Sequence, residues 1–227
     1  MKVKAHIPNA LTLCNLLCGC TGIVFVLENR AVPAAWFVWC AAFFDFLDGF
    51  AARWLRVNSP LGRELDSLAD VVSFGLLPSF VLYKIGQPLP FPVAYFAFSV
   101  AAFSALRLAI FNTDTSQTDS FKGLPTPANA LFITSLPLLP AAWIAWMGNW
   151  MLFILLCLTS SSLLVSRIEL FALKFKKFSW QGNELRFTFL AASVLLITLL
   201  NFRAIPFIIL LYLVMSLFIR RGSESNN

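Results

Sequence analysis

Apolar residues in this chain come in blocks of roughly 17–25, the length an α-helix needs to cross about 30 Å of hydrocarbon. Of 227 residues, 59% are apolar and 12% charged, and the mean hydropathy is +0.79. Soluble domains are about half apolar and a quarter charged, so lipid is the expected solvent for most of this chain. The blocks and their breakers place spans near 8–28, 33–55, 66–85, 91–112, 126–147, 150–169, 186–202 and 204–219. The last two are separated by little more than Arg203, which suits a tight hairpin. The first block follows a basic start, as a secretory signal does, but polar Asn9, Thr12 and Asn15 interrupt it and further spans follow. It is therefore read as a retained first span.

Basic residues test the topology. With eight spans, fourteen of the 17 Lys and Arg fall on the side of the termini, and only Arg30, Lys84 and Arg203 fall opposite. By the positive-inside rule both termini are expected in the cytoplasm. The net charge of +6 is then a cytoplasmic-surface feature that attracts anionic lipid headgroups, and no nucleic-acid partner is expected. Residues 170–185, with Leu173-Lys174-Phe175-Lys176-Lys177-Phe178, fit either an interfacial segment or a plain positive-inside loop. Cys14, Cys18, Cys20, Cys40 and Cys157 lie in apolar blocks without a C-x-x-C pair and are read as packing residues. With His6 the sole histidine, histidine catalysis and Cys/His metal sites have almost no raw material.

The chemistry is concentrated where the second block ends and the third begins. Asp45-Phe46-Leu47-Asp48-Gly49-Phe50-Ala51-Ala52-Arg53 is followed by a break at Asn58-Ser59-Pro60, then Gly62-Arg63-Glu64-Leu65-Asp66-Ser67-Leu68-Ala69-Asp70. An acid near a span centre costs about 2.5–3.5 kcal/mol, several times what one Leu returns. Such residues mark functional sites. Asp45, Asp48, Gly49 and Ala52 share one helical face, and Asp66 and Asp70 share another. Pro60 suits a first helical turn, so the break lets the second segment turn back and present its acids to the first. Four acids in a poorly solvated place call for hard divalent cations with oxygen ligands, Mg2+ or Mn2+. Gly49, Ala52 and Gly62 leave room for a large polar ligand, and Arg53, Arg56 and Arg63 can meet phosphate charge. The plain alternative is small-residue helix packing, with the acids merely paired to those arginines.

The stretch Asp45-x2-Asp48-Gly49-x2-Ala52-Arg53-x8-Gly62-x3-Asp66-x3-Asp70 resembles the signature of the CDP-alcohol phosphotransferases at every fixed position. The resemblance implies an all-α integral membrane fold, a six-helix core over 1–178 followed by two further transmembrane helices and a polar tail over 179–227, usually as a homodimer. It implies two divalent metal ions held by Asp45, Asp48, Asp66 and Asp70, with Asp70 also the general base. Gly49, Ala52, Arg53, Gly62 and Ser67 are implied to contact the cytidine diphosphate. Three downstream stretches, Asp70-Val71-Val72-Ser73-Phe74-Gly75-Leu76-Leu77-Pro78-Ser79, Ala105-Leu106-Arg107-Leu108-Ala109-Ile110-Phe111-Asn112 and Phe121-Lys122-Gly123-Leu124-Pro125-Thr126-Pro127, resemble the membrane-integral phosphatidylserine synthases. Many of those have a second Arg where this chain has Ile110.

That resemblance implies CDP-diacylglycerol as donor, L-serine as acceptor and a bacterial inner membrane as location, with the active site near the cytoplasmic face. Arg107 is a candidate for the serine carboxylate or an end-of-helix arginine reaching toward the interface. Ser73 and Asn112 can orient the alcohol or satisfy neighbouring backbone groups, and Lys122 is a candidate for closing over the headgroup. Two rival readings stand beside this one. Glycerol-3-phosphate or inositol phosphate as acceptor would call for more cationic charge than Arg107 and Lys122 offer. A cation transporter also uses intramembrane acids, but the chain lacks paired broken helices in corresponding halves.

Overall fold

The computed structural model describes residues 3–57, 59–113, 121–170, 180 and 183–224. Two long antiparallel helices open it, α1 (Val3–Leu27) and α2 (Ala31–Leu55). Each ends in a left-handed residue that is not glycine, Asn29 at φ 62° and Arg56 at φ 52°. The closing hydrogen bonds run from the Arg30 N–H to Phe25 O and from the Val57 N–H to Ala52 O. This satisfies carbonyls the helix end would leave open. The chain then reverses as the sequence suggests: Ser59 caps α3 (Pro60–Asp70) by accepting from the Gly62 N–H, and Pro60 occupies the first turn.

The third apolar block begins earlier than expected, because α3 joins α4 (Leu77–Gly86) through a π-helical stretch, Val71–Leu76, making one helical run over Pro60–Gly86. The wider turn puts Ser73, Phe74 and Gly75 in the interior together. A tight 3-10 stretch, Val93–Phe98, leads into α5 (Ser99–Thr113).

The expected fifth span, 126–147, is not one helix. It is broken into α6 (Thr126–Ser135), a 3-10 turn at Leu136–Leu138, the short α7 (Ala141–Ile144) and a second 3-10 turn ending at Gly148. Pro137 and Pro140 each lack an N–H and clash with a preceding carbonyl, which interrupts the ladder. The chain then bends by 98° between Ala141–Gly148 and α8 (Trp150–Val165), where the Asn149 side chain accepts from the Met151 and Leu152 N–H groups. A two-residue antiparallel ladder pairs β1 (Phe121–Lys122) with β2 (Glu169–Leu170), tying the loop before α6 to the end of α8.

The last two helices, α9 (Glu184–Leu200) and α10 (Ile205–Glu224), form the tight hairpin the sequence allows. The Phe189 and Tyr212 rings lie 5.8 Å apart, whereas 23 residues of straight helix would separate them by about 34 Å. The turn contains Asn201 at φ 52°, and Phe202 and Phe207 dock on Trp36 and Trp143. The segment containing Leu173–Phe178, considered above as interfacial, lies outside the described residues.

Among the described residues five helical stretches are long and apolar enough to cross a membrane, one of them the Glu184–Leu217 stretch that the hairpin folds in two, and the bent pair around Asn149 is a sixth candidate. The fully buried core, with Val26, Val38, Leu77, Leu82, Ile133 and Phe153, gathers toward the α1–α2 turn. Cys157 is buried in it and all five cysteines are free. Asp45 and Asp48 lie toward the other end of α2.

Candidate active site

α2 and α3 bring the carboxylates together. Asp45, Asp48 and Asp66 each offer an oxygen within 4.8 Å of the others. Asp48 and Asp70, the latter one turn beyond Asp66, are both buried, with 5% and 7% of their surfaces exposed. Among the described residues none of the four forms an ion pair; Arg30–Glu28, at the far end of α2, does. The alternative in which the acids merely pair with Arg53, Arg56 and Arg63 therefore loses its support. The donor set is all carboxylate, and the Asp66 Oδ1 atom is buried without a hydrogen-bond partner. Such an orphan is costly in a poorly solvated site, and a hard cation satisfies it while relieving the mutual repulsion of the acids. The residues fit a divalent metal.

A cleft of about 240 Å³ opens beside the acids. Asp48, Gly49 and Ala52 of α2 form one wall, and Gly62, Arg63 and Asp66 of α3 form another. At Gly49 an added Cβ would meet only the Arg53 guanidinium, at 4.0 Å, so a ligand can approach the backbone closely there. At Gly62 a Cβ would stand 3.1 Å from the Asn9 side-chain oxygen. The cleft thus gathers five of the residues the signature singles out, Asp48, Gly49, Ala52, Gly62 and Asp66, with Arg53 at its edge. Arg56, considered for phosphate, supplies the left-handed end of α2 and is exposed.

The third wall, Pro8, Asn9 and Thr12 of α1, was not assigned a role from the sequence. The signal was present in the polar interruptions at 9, 12 and 15, whose spacing puts them on one side of a helix. Thr12 donates to Asp48 Oδ2 at 2.7 Å, and Asn15 donates through Nδ2 to Asp70 Oδ1 at 3.0 Å.

The candidate acceptor residues separate. Ser73 is fully buried and donates to the Asn15 carbonyl at 2.9 Å, the backbone-satisfying role left open above. Asn112 donates at 2.8 Å to Ser67, whose hydroxyl in turn donates to the Arg63 carbonyl, so the two join α5 to α3. Arg107 is half-buried, lies within electrostatic reach of Asp70 and has a buried Nε without a partner. The Lys122 backbone pairs with Glu169; its side chain lies outside the described residues.

Residues 5–161 match the CDP-alcohol phosphatidyltransferase family. The chain belongs to that family. Among characterised relatives, it is 39% identical over 123 residues to the CDP-diacylglycerol–serine O-phosphatidyltransferase of Bacillus subtilis, covering 54% of this chain and 70% of that one. It is 35% identical over 184 residues to the enzyme of that name from Helicobacter pylori, covering 76% and 74%. With that of Mycobacterium leprae it shares 37% over 176 residues, 72% of this chain but 57% of the longer relative. The family match takes in the whole acid cluster and its α1 wall.

Proposed function

We propose that this protein transfers the phosphatidyl group of CDP-diacylglycerol to L-serine, releasing CMP and forming phosphatidylserine. The observation that carries this reading is the convergence of Asp45, Asp48 and Asp66 within 4.8 Å beside an open cleft, in a chain whose similar relatives share one named activity.

Asp45, Asp48, Asp66 and Asp70 would hold two Mg2+ or Mn2+ ions, which supply charge stabilisation to the diphosphate and the leaving CMP. The cleft takes the cytidine diphosphate, with backbone approach at Gly49, Gly62 in the wall beside Asn9, room at Ala52, and Arg53 and Arg63 meeting phosphate charge; Ser67 completes that set from α3. Arg107 receives the serine carboxylate, with Asn112 and Lys122 around the acceptor, while Ser73 serves the backbone of α1 instead. Asp70 takes the serine hydroxyl proton on Oδ2, its Oδ1 being held by Asn15. The serine oxygen forms a bond to the lipid-bearing phosphorus as the P–O bond to CMP breaks, and that bond's electrons leave with CMP. The transfer is direct, and ping-pong kinetics, the fingerprint of a covalent intermediate, would contradict it.

The asymmetry of basic residues supports an orientation with the acids near the cytoplasmic face, and the resemblance supports a bacterial inner membrane as the location. The family match ending at residue 161 supports a core over 1–178 with the α9–α10 hairpin appended over 179–227, and the resemblance supports a homodimer. The test is CMP release by detergent-purified protein given CDP-diacylglycerol and Mg2+, with serine, glycerol-3-phosphate, inositol phosphate or no acceptor. Release with serine is expected; release with another acceptor alone would overturn the serine reading and keep the chemistry.

A further inference from the structure

We propose that Thr12 and Asn15 of α1 are positioning residues for the acid cluster: each occupies one oxygen of a carboxylate and so fixes which oxygen remains for a metal ion or a proton. Asp48 gives Oδ2 to the Thr12 hydroxyl at 2.7 Å, and Asp70 gives Oδ1 to the Asn15 amide at 3.0 Å. Asp48 Oδ1 and Asp70 Oδ2 are left for the chemistry.

Both side chains lie inside the bundle, Thr12 with 3% and Asn15 with none of its surface exposed. Asn15 therefore acts through Asp70 rather than by touching a ligand. The Thr12 hydroxyl has a single proton and two acceptors in range, Asp48 at 2.7 Å and the Pro8 carbonyl at 3.1 Å. The ionised and closer partner holds it. For Asn15 the orientation is forced, because an ionised carboxylate only accepts and the NH2 end must face it. This leaves the Asn15 Oδ1 atom buried and without a partner, a cost the fold carries to keep the donor on Asp70.

The helix that bears both residues is locked in register. Ser73, in the π-helical stretch directly after Asp70, donates to the Asn15 carbonyl at 2.9 Å. At Gly19, one turn further along α1, an added Cβ would stand 2.8 Å from the Ser73 Cα, so the two backbones are in direct contact. The three-residue spacing of Thr12 and Asn15 matches the reach from α2 to α3, and one rigid helix addresses acids on both.

The test uses the full chain purified in detergent, with Mn2+ alone as probe and free Mn2+ measured by electron paramagnetic resonance. Removing hydrogen bonds to metal ligands typically costs 10- to 100-fold in affinity, so Thr12→Val, which keeps the shape, is expected to weaken Mn2+ binding by about that factor. Thr12→Ser, which keeps the hydroxyl, should stay within about threefold of wild type. Asn15→Leu is expected to follow Thr12→Val. Wild-type affinity in Thr12→Val, or equal losses in the Val and Ser variants, would overturn the proposal. If Thr12→Val does not fold by circular dichroism, Thr12→Ala replaces it under the same criteria. Wild-type protein that binds no Mn2+ would overturn the metal assignment on which this inference rests, and the inference with it; normal binding insensitive to Thr12 would overturn the inference alone.

Discussion

Gly19 lies outside the cleft and carries no chemistry, yet Gly19→Ala is expected to reach the active site. The new methyl would lie 2.5 Å from the Ser73 hydroxyl, 2.8 Å from its Cα and 3.0 Å from its backbone nitrogen. Two of these are backbone atoms that no rotamer change can remove. Carbon atoms pack at 3.5 Å or more, so α1 and the π-helical stretch must separate by about 0.7 Å. Asn15 lies one turn away on the same rigid helix, and its 3.0 Å bond to Asp70 would lengthen to about 3.7 Å, outside hydrogen-bonding range. Overpacking of this kind costs about 1–3 kcal/mol of stability, and a 1 Å misplacement of reacting groups can cost about 100-fold in rate. The assay is the turnover number for CMP release, with a thermal melt of the same preparation. A tenfold or greater fall in turnover in protein still folded at the assay temperature is expected. Gly22→Ala is the control: its closest contact is the flexible Leu77 side-chain end at 2.6 Å, with the Phe37 Cβ at 3.1 Å, and it should lose much less. Wild-type turnover in Gly19→Ala would refute the reasoning that α1 sets the acids.

Gly123, at φ +76°, holds the loop before α6 against α8, and a Cβ there would stand 2.5 Å from the Leu164 carbonyl oxygen. Gly123→Ala should therefore lower stability by about 1–3 kcal/mol, read as a lower melting temperature in detergent. The Asn112–Ser67 bond should appear in a double-mutant cycle of Asn112→Ala and Ser67→Ala as a coupling of about 0.5–1.5 kcal/mol; additive losses would mean the contact is not made. Asp66→Asn removes one of the three converging carboxylates and should weaken Mn2+ binding at least about tenfold, measured by titration of the purified protein.

The sequence made the α2–α3 half of the site legible because the cost of acids among apolar residues leaves few structural explanations, and because helical spacing assigns them to faces without tertiary information. Ser59 and Pro60 likewise announce a helix start through local chemistry alone. The contribution of α1 was harder to see. Asn9, Thr12 and Asn15 look like weaknesses in a span until the partner helices are placed, since hydrogen bonds to Asp48 and Asp70 cross 36 and 55 residues. The π-helical stretch after Asp70 had no local signal, since nothing in Val71–Leu76 forbids an ordinary helix. The breakup of 126–148 did have one in Pro137 and Pro140, but apolar length outweighed it. Hydropathy registers which residues prefer lipid, not whether the backbone between them is continuous.

The most direct test of the account is to follow radiolabelled serine into lipid and CMP into solution in the same reactions, for wild type and Asp70→Asn. Equal molar yields of phosphatidylserine and CMP are expected from wild type. Asp70→Asn should be slower by about 100- to 10,000-fold, the usual contribution of a general base. CMP released without labelled lipid, or an Asp70→Asn variant as fast as wild type, would contradict it.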